Sequence, residues 1–317
     1  GMVTQKYPLL AVVGPTASGK SGLAVELAKA LGGEVVSCDS MQVYRGMDIG
    51  TAKPTPAEMQ GVPHHLLGIA EPNAPFTCSD YVRVCRLVIA QICSRGRLPV
   101  LCGGTGLYLE RLLFGGAEQE ETAPNPALRQ QWQDYAAVHG AHALHERLAE
   151  VDPESAAAIH ENNIPRVVRA LEIYGSTGVP KSEWDRRTRL PEPEYRALVI
   201  GLRFADRQKL YARIEARVEQ MLAQGLLEET RQLLARGVFA ANSTAAQAIA
   251  YKELMGYLRG EEPLESAAER LCRSTRRYAK RQMTWFSAKP YVRWITVDET
   301  DEPLREALDL IGQERFA

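Results

Sequence analysis

The run Gly14-Pro15-Thr16-Ala17-Ser18-Gly19-Lys20-Ser21 fits the pattern G-x-x-x-x-G-K-[ST]. A loop of this kind curls so that successive backbone N–H groups point at phosphate oxygens, and the positive end of the helix after it adds to the field. Lys20 brings a cationic side chain to the same oxygens, and the Ser21 hydroxyl is suited to ligate Mg2+. A second candidate is Asp39, placed directly after the run Glu34–Cys38. A carboxylate there can orient Mg2+ or take a proton from an incoming nucleophile. Its plainer reading is an aspartate capping the next turn.

These groups need a scaffold, and the hydropathy pattern supplies one. Leu9–Val13, Glu34–Cys38 and Leu98–Cys102 read as buried parallel strands. Helical patterns follow at 21–31, at 79–95 with a serine cap, and at 107–114. Alternation of this kind implies an α/β fold with a parallel sheet wrapped by helices. In such a sheet the carboxyl ends of neighbouring strands line one crevice, so Asp39 and the phosphate loop should share a site. Between about 116 and 189 only helical segments and turns are found. Strand patterns return at 196–203 and 293–297, with a long helix at 206–224. The expected organisation is a P-loop NTPase-like core, 1–115 plus 190–317, with an inserted all-helical domain at 116–189.

Composition narrows the class. With 45% hydrophobic and 24% charged residues over 317 positions the chain reads as an ordinary globular protein. No run approaches the ~18 apolar residues of a membrane helix, so no membrane partner is expected. Its six scattered cysteines form no C-x-x-C pair and read as reduced thiols, which points to the cytoplasm. The net charge of −1 means that a nucleic-acid partner would need a local basic patch. The strand Leu98–Cys102 ends in Gly103-Gly104-Thr105, not in the acidic residue usual for an ATPase, and there is no N-K-x-D. A molecular switch or a motor is thereby disfavoured.

Asp39-Ser40-Met41-Gln42 and the run through Gly50-Thr51-Ala52-Lys53-Pro54 resemble the signature of the tRNA dimethylallyltransferases, also called tRNA isopentenyltransferases. Gly61–Leu66, Gly103–Tyr108, Arg166–Glu172, Arg213–Val218 and Lys280–Phe286 resemble further blocks of that family in the same order, over nearly the whole chain. No zinc-finger pattern of the eukaryotic members is found, so the resemblance is to the bacterial form. It implies transfer of a dimethylallyl group from dimethylallyl diphosphate to N6 of an adenosine beside the anticodon of tRNA. It also implies Mg2+ as cofactor and favours a monomer.

The resemblance assigns roles by position. Asp39 is the expected general base, and Thr105 lies near the reacting groups, with capping of the following helix as its alternative. Arg217 and Arg213, four apart on one helix face, are expected to clamp diphosphate oxygens together with 14–21. Ser40, Met41 and Gln42 are expected around the acceptor base, Gln42 having both a donor and an acceptor for an adenine edge. Asn163, Pro165, Arg166, Val167 and Arg169 in the insertion are expected to touch the anticodon stem-loop. Ala250 and the Ile164-Pro165 pair depart from the family pattern inside segments assigned to tRNA contact.

Charge adds a reading of its own. Between Arg270 and Arg293 there are many Lys and Arg and no acid. Arg273, Arg276, Arg277, Lys280 and Arg281 follow i, i+3, i+4 spacing and form one cationic stripe suited to RNA phosphates. Arg186-Arg187-Thr188-Arg189 makes a second cluster. His139, His142 and His145 are spaced by three and converge on no metal. Two competing functions stand beside the transferase: a P-loop nucleoside or small-molecule kinase, and an RNA-binding nucleotide sensor.

Overall fold

The computed structural model describes residues 7–115, 124–188 and 195–314. Six strands, β1 (Tyr7–Val13), β2 (Gly33–Ser37), β3 (His64–His65), β4 (Leu98–Gly103), β5 (Tyr195–Arg203) and β6 (Val292–Thr296), form one sheet. Its order is β3-β2-β4-β1-β5-β6 and every pairing is parallel. Leu9 to Val13 are at most 3% exposed because helices cover both faces of β1. Leu10 stands opposite Val100 on one side and Leu198 on the other.

Helix α1 (Lys20–Leu31) packs Leu23 and Leu27 onto Leu10, Val12, Val100 and Ile200. Each such side chain contributes ~2 kcal/mol by leaving water, and together they fix the loop that joins β1 to α1. Helix α2 (Cys78–Ser94) begins at Thr77, not at the serine expected to cap it. Thr77 accepts from the Asp80 N–H and Asp80 reaches back to the Thr77 N–H, a reciprocal pair that sets the start of the helix at Thr77. Helix α3 (Gly106–Phe114) follows β4.

The chain divides into two compact units, Gly1–Leu113 with Pro193–Ala317, and Phe114–Glu192. Among its described residues the second unit is all helical, with α4 (Pro126–Val151), α5 (Ile164–Thr177) and α6 (Lys181–Thr188). Its core is built from Leu144, Leu148, Val167, Val168 and Leu171. Gly116 and Arg189, the expected limits of the insertion, lie outside the described residues.

In the first unit, α7 (Arg207–Gln224) is capped by Asp206 and leads into α8 (Leu226–Ala235). Short helical turns then reach α9 (Leu264–Ser287), and α10 (Pro303–Gln313) closes against α1. Val218, Leu226, Tyr251 and Leu271 from these helices enclose Val43, Tyr44 and Met47. That core anchors the long segment after β2, which has little secondary structure of its own.

Candidate active site

The carboxyl ends of β1, β2 and β4 lie side by side, and each gives way to a loop bearing candidate groups. After β1 the phosphate loop turns through Ala17, at φ 65, and Gly19, at φ 91. A left-handed alanine costs about 1–2 kcal/mol, strain of the kind that a functional loop retains. The Pro15 carbonyl accepts from Ser18 N–H at 3.2 Å and from Lys20 Nζ at 3.4 Å. Ser18 is 2% exposed, yet its hydroxyl has no hydrogen-bond partner among the described residues.

A cavity of about 600 Å³ opens beside this loop. Its wall includes Thr16 to Ser21, Asp39 to Gln42, Arg217 and Arg281, while Val218, Met221, Ile249 and Leu271 give it an apolar side. Gly14 and Pro15 lie behind the wall, in the turn that shapes it. Asp39 Oδ1 accepts from the N–H of Met41 at 2.8 Å and of Gln42 at 3.2 Å. Oδ2 has no hydrogen bond within the described protein. One carboxylate oxygen thus holds the turn and the other is available.

Thr105 stands one step back from the cavity. Its hydroxyl accepts from Ser40 N–H at 3.0 Å, while its backbone carbonyl starts α3, so the side chain does not cap that helix. The Gln42 amide oxygen accepts from Ser37 Oγ at 2.9 Å and its amide nitrogen donates to the carbonyls of Thr51 and Ala52. These bonds tie Gln42 to the neighbouring loop, so it shapes the cavity wall that it borders. Arg213 lies over the phosphate loop without lining the cavity. A Cβ at Gly19 would sit 3.5 Å from its guanidinium, which also stacks on Phe204 at 5.6 Å.

The electrostatics favour an anion. Burial lowers the pKa of Lys20 and Arg217 adds to the effect, while Asp39 opposes it. Burial likewise lowers Arg217, with Glu58 opposing and Arg213 reinforcing. The Cys102 thiol beside Lys20 is pushed up by burial, so it stays neutral and offers no counter-charge. Two desolvated cations facing one carboxylate are stabilised by whatever negative charge enters.

Gln282 of α9 was not singled out by sequence pattern as part of the site. Its Oε1 accepts from Thr16 N–H at 3.0 Å and its Nε2 donates to the Gly104 carbonyl at 3.4 Å. A Cβ at position 104 would meet Gln282 Nε2 at 2.2 Å, so a larger residue there would displace this amide from its bonds.

The basic residues from Arg270 to Arg293 divide into paired members outside the stripe and unpaired members within it. Arg270 is bound by Glu253 and Glu262, Lys289 by Glu110 at 2.9 Å, and Arg293 by Glu314. Arg273, Arg276, Arg277, Lys280 and Arg281 have no ion pair among the described residues. Arg277, Lys280 and Arg281 line a shallow groove with Thr284 and Trp285, and Arg281 borders the main cavity as well. Trp285 is packed rather than offered for stacking, with Lys289 Nζ 4.1 Å from its ring centre and no room for a Cβ on Gly106 beneath it.

In the second unit, Asn163 caps α5 through a bond from Arg166 N–H at 3.4 Å, and Asn163, Pro165 and Arg166 are exposed. The Val167 side chain is fully buried in the core of this unit, and Arg169, whose side chain is partly exposed, pairs with the buried Glu172 at 3.0 Å. Arg186 is held by Glu154 and Glu183, while Arg189 lies outside the described residues. His142 pairs with Glu161 and Glu146, and His145 bonds the carbonyls of Ala156 and Ile159. No group of three or more metal-ligating residues occurs among the described residues.

Residues 42–289 match the family described as IPP transferase, and residues 7–68 match a family described as isopentenyl transferase. The tRNA dimethylallyltransferase of Geobacillus kaustophilus is 51% identical over 291 residues, 92% of this chain and 90% of that one. The chain belongs to the tRNA dimethylallyltransferase family. It is therefore a prenyl transferase, and the kinase and sensor readings give way.

Solved structures agree. That of the tRNA isopentenylpyrophosphate transferase of Bacillus halodurans is 44% identical, with a TM-score of 0.70 over 97% of this chain and 96% of that one. A eukaryotic dimethylallyltransferase acting on tRNA is 27% identical, with a TM-score of 0.74 over 98% of this chain and 79% of that one. The α/β, P-loop NTPase-like architecture is shared with these enzymes. Among the described residues no helix is long and apolar enough to cross a membrane.

Proposed function

We propose that the chain transfers a dimethylallyl group from dimethylallyl diphosphate to N6 of an adenosine beside the anticodon in tRNA. One observation carries the mechanism: the phosphate loop with its unpartnered Ser18 hydroxyl, the desolvated Lys20 and the available Oδ2 of Asp39 border a single cavity. The bond from the allylic carbon to the diphosphate oxygen breaks, and the diphosphate leaves with the electron pair. The N6 lone pair forms the new C–N bond, and the proton it releases passes to Asp39. Loop amides, Lys20 and Arg217, with Arg213 closing from above, take up the charge that develops on the leaving group. The apolar wall of Val218, Met221 and Leu271 suits the hydrocarbon and keeps water from the allylic cation.

Mg2+ fits this site in a limited way. Ser21 would hold it together with diphosphate oxygens and water, the usual manner of an ion that keeps most of its hydration. When bound, it would neutralise charge on the leaving group. Thr105 and Gln42 support the turn that carries Asp39, Ser40 and Met41. The unpaired stripe on α9 and the exposed Asn163, Pro165 and Arg166 of the insertion are the surfaces assigned to the anticodon stem-loop. In this reading 1–115 with 190–317 is the catalytic core, 116–189 helps bind tRNA, and the enzyme acts as a monomer, since one chain supplies every group named.

The test incubates the protein with tRNA and either dimethylallyl diphosphate or γ-labelled ATP, followed by mass analysis of the RNA. An adenosine heavier by one five-carbon unit is expected. Label passing from ATP alone, or unchanged RNA, would overturn the proposal.

A further inference from the structure

We infer that Glu229 is a positioning residue for the acceptor side of this site, acting through the backbone of 48–52. The inference rests on the functional reading above. Glu229 lies in the first turn of α8 and does not border the cavity. Its carboxylate accepts from the backbone N–H of Asp48 at 3.0 Å, of Ile49 at 2.9 Å and of Gly50 at 3.0 Å. The Tyr251 hydroxyl donates to the same carboxylate at 2.9 Å. Three consecutive amides and a phenol on one anion form a set of charge-assisted bonds, about twice as strong as neutral ones.

The contact is built into the neighbouring sequence. A Cβ on Gly50 would fall 2.5 Å from the Tyr251 ring, so only glycine lets the segment approach the carboxylate. Tyr251 is fully buried, and burial first, then Glu229, keeps its phenol protonated and donating.

What the segment carries reaches the chemistry. Thr51 and Ala52 follow at once, border the cavity, and present their carbonyls to Gln42 Nε2 at 3.1 and 3.4 Å. Gln42 in turn donates its N–H to Asp39 Oδ1 at 3.2 Å. A hydrogen-bonded path thus runs from Glu229 through Gly50, Ala52 and Gln42 to Asp39. The phosphate loop is not on it, being held by α1 and Gln282. Loss of Glu229 should therefore loosen the acceptor side and leave the diphosphate side intact.

The experiment compares the whole protein with Glu229→Gln and Tyr251→Phe, varying an anticodon stem-loop RNA and dimethylallyl diphosphate in turn. Binding of inorganic pyrophosphate is measured by calorimetry. In Glu229→Gln an amide NH2 faces backbone donors, and kcat/KM for the RNA should fall about ten- to hundredfold, the range for a misplaced catalytic group. Tyr251→Phe should fall about fivefold in the same direction, for one lost bond. KM for dimethylallyl diphosphate and the pyrophosphate Kd should stay within about twofold in both. Equal losses on both substrates, or none, would overturn the assignment; Tyr251→Phe decides alone if Glu229→Gln fails to give a cooperative melt. An unmodified protein that leaves the RNA unchanged counts against the functional reading instead.

Discussion

The side chain of Gln282 holds the backbone of Thr16, its Oε1 3.0 Å from the Thr16 nitrogen, across 266 positions of sequence. Because its Nε2 also reaches Gly104, one amide ties the phosphate loop to the loop that bears Thr105. Gln282→Leu keeps the volume and removes both bonds. KM for dimethylallyl diphosphate should rise about tenfold, the equivalent of ~1.4 kcal/mol, with KM for tRNA within about threefold. Steady-state kinetics with each substrate varied checks this, and an unchanged diphosphate KM would refute it.

Asp39→Asn isolates proton transfer from loop geometry. Asparagine keeps an Oδ1 for the N–H groups of Met41 and Gln42, so the turn survives. Only the basic oxygen is lost. The expected result is a fall in kcat of about 10²–10⁴, with RNA affinity within a few-fold by filter binding. Near-normal turnover in this variant would remove Asp39 from the role of base.

The sheet was legible because a strand covered on both faces must be apolar throughout, and Leu9–Val13 and Leu98–Cys102 are. Strand β3 was not, since His64 and His65 join the sheet through Val35 and Val36 and not through any pattern of their own. The phosphate loop and Asp39 were legible because their chemistry depends on residue types at short spacing. Glu229 and Gln282 were not, because a side chain that binds remote backbone leaves no local pattern. Charge was read correctly as charge, but Arg270 and Arg273 look alike in sequence, and only the fold reveals that Glu253 and Glu262 claim the first.

That difference predicts contrasting salt behaviour. Arg277→Ala, Lys280→Ala and Arg281→Ala should each weaken tRNA binding and reduce the slope of log affinity against log salt by about one. Arg270→Ala should leave the slope unchanged and lower the melting temperature, since it strands two partly buried carboxylates. Binding titrations at several salt concentrations, with a thermal melt of each variant, separate the two classes. A flat salt response of the unmodified protein would count against the whole stripe.

Glu172 links the second unit's stability to pH. It is fully buried, and burial alone would push its carboxyl up. The Asn125 N–H, then Arg169 and Arg129, outweigh that and hold it below its ordinary 4.5. A carboxyl lowered by folding stabilises the native state above its unfolded value and loses that contribution as pH falls through the folded value. Glu172→Gln should therefore destabilise by ~3 kcal/mol at pH 7, the low end for a broken buried pair because Arg129 and Arg169 still reach water. As pH drops below 4.5 the unmodified protein protonates the same group, and the gap between the two should narrow. Denaturant titrations at pH 7 and at stepped acidic pH measure that gap; a constant difference across the range would mean that the carboxylate's charge is not what stabilises α4 against α5.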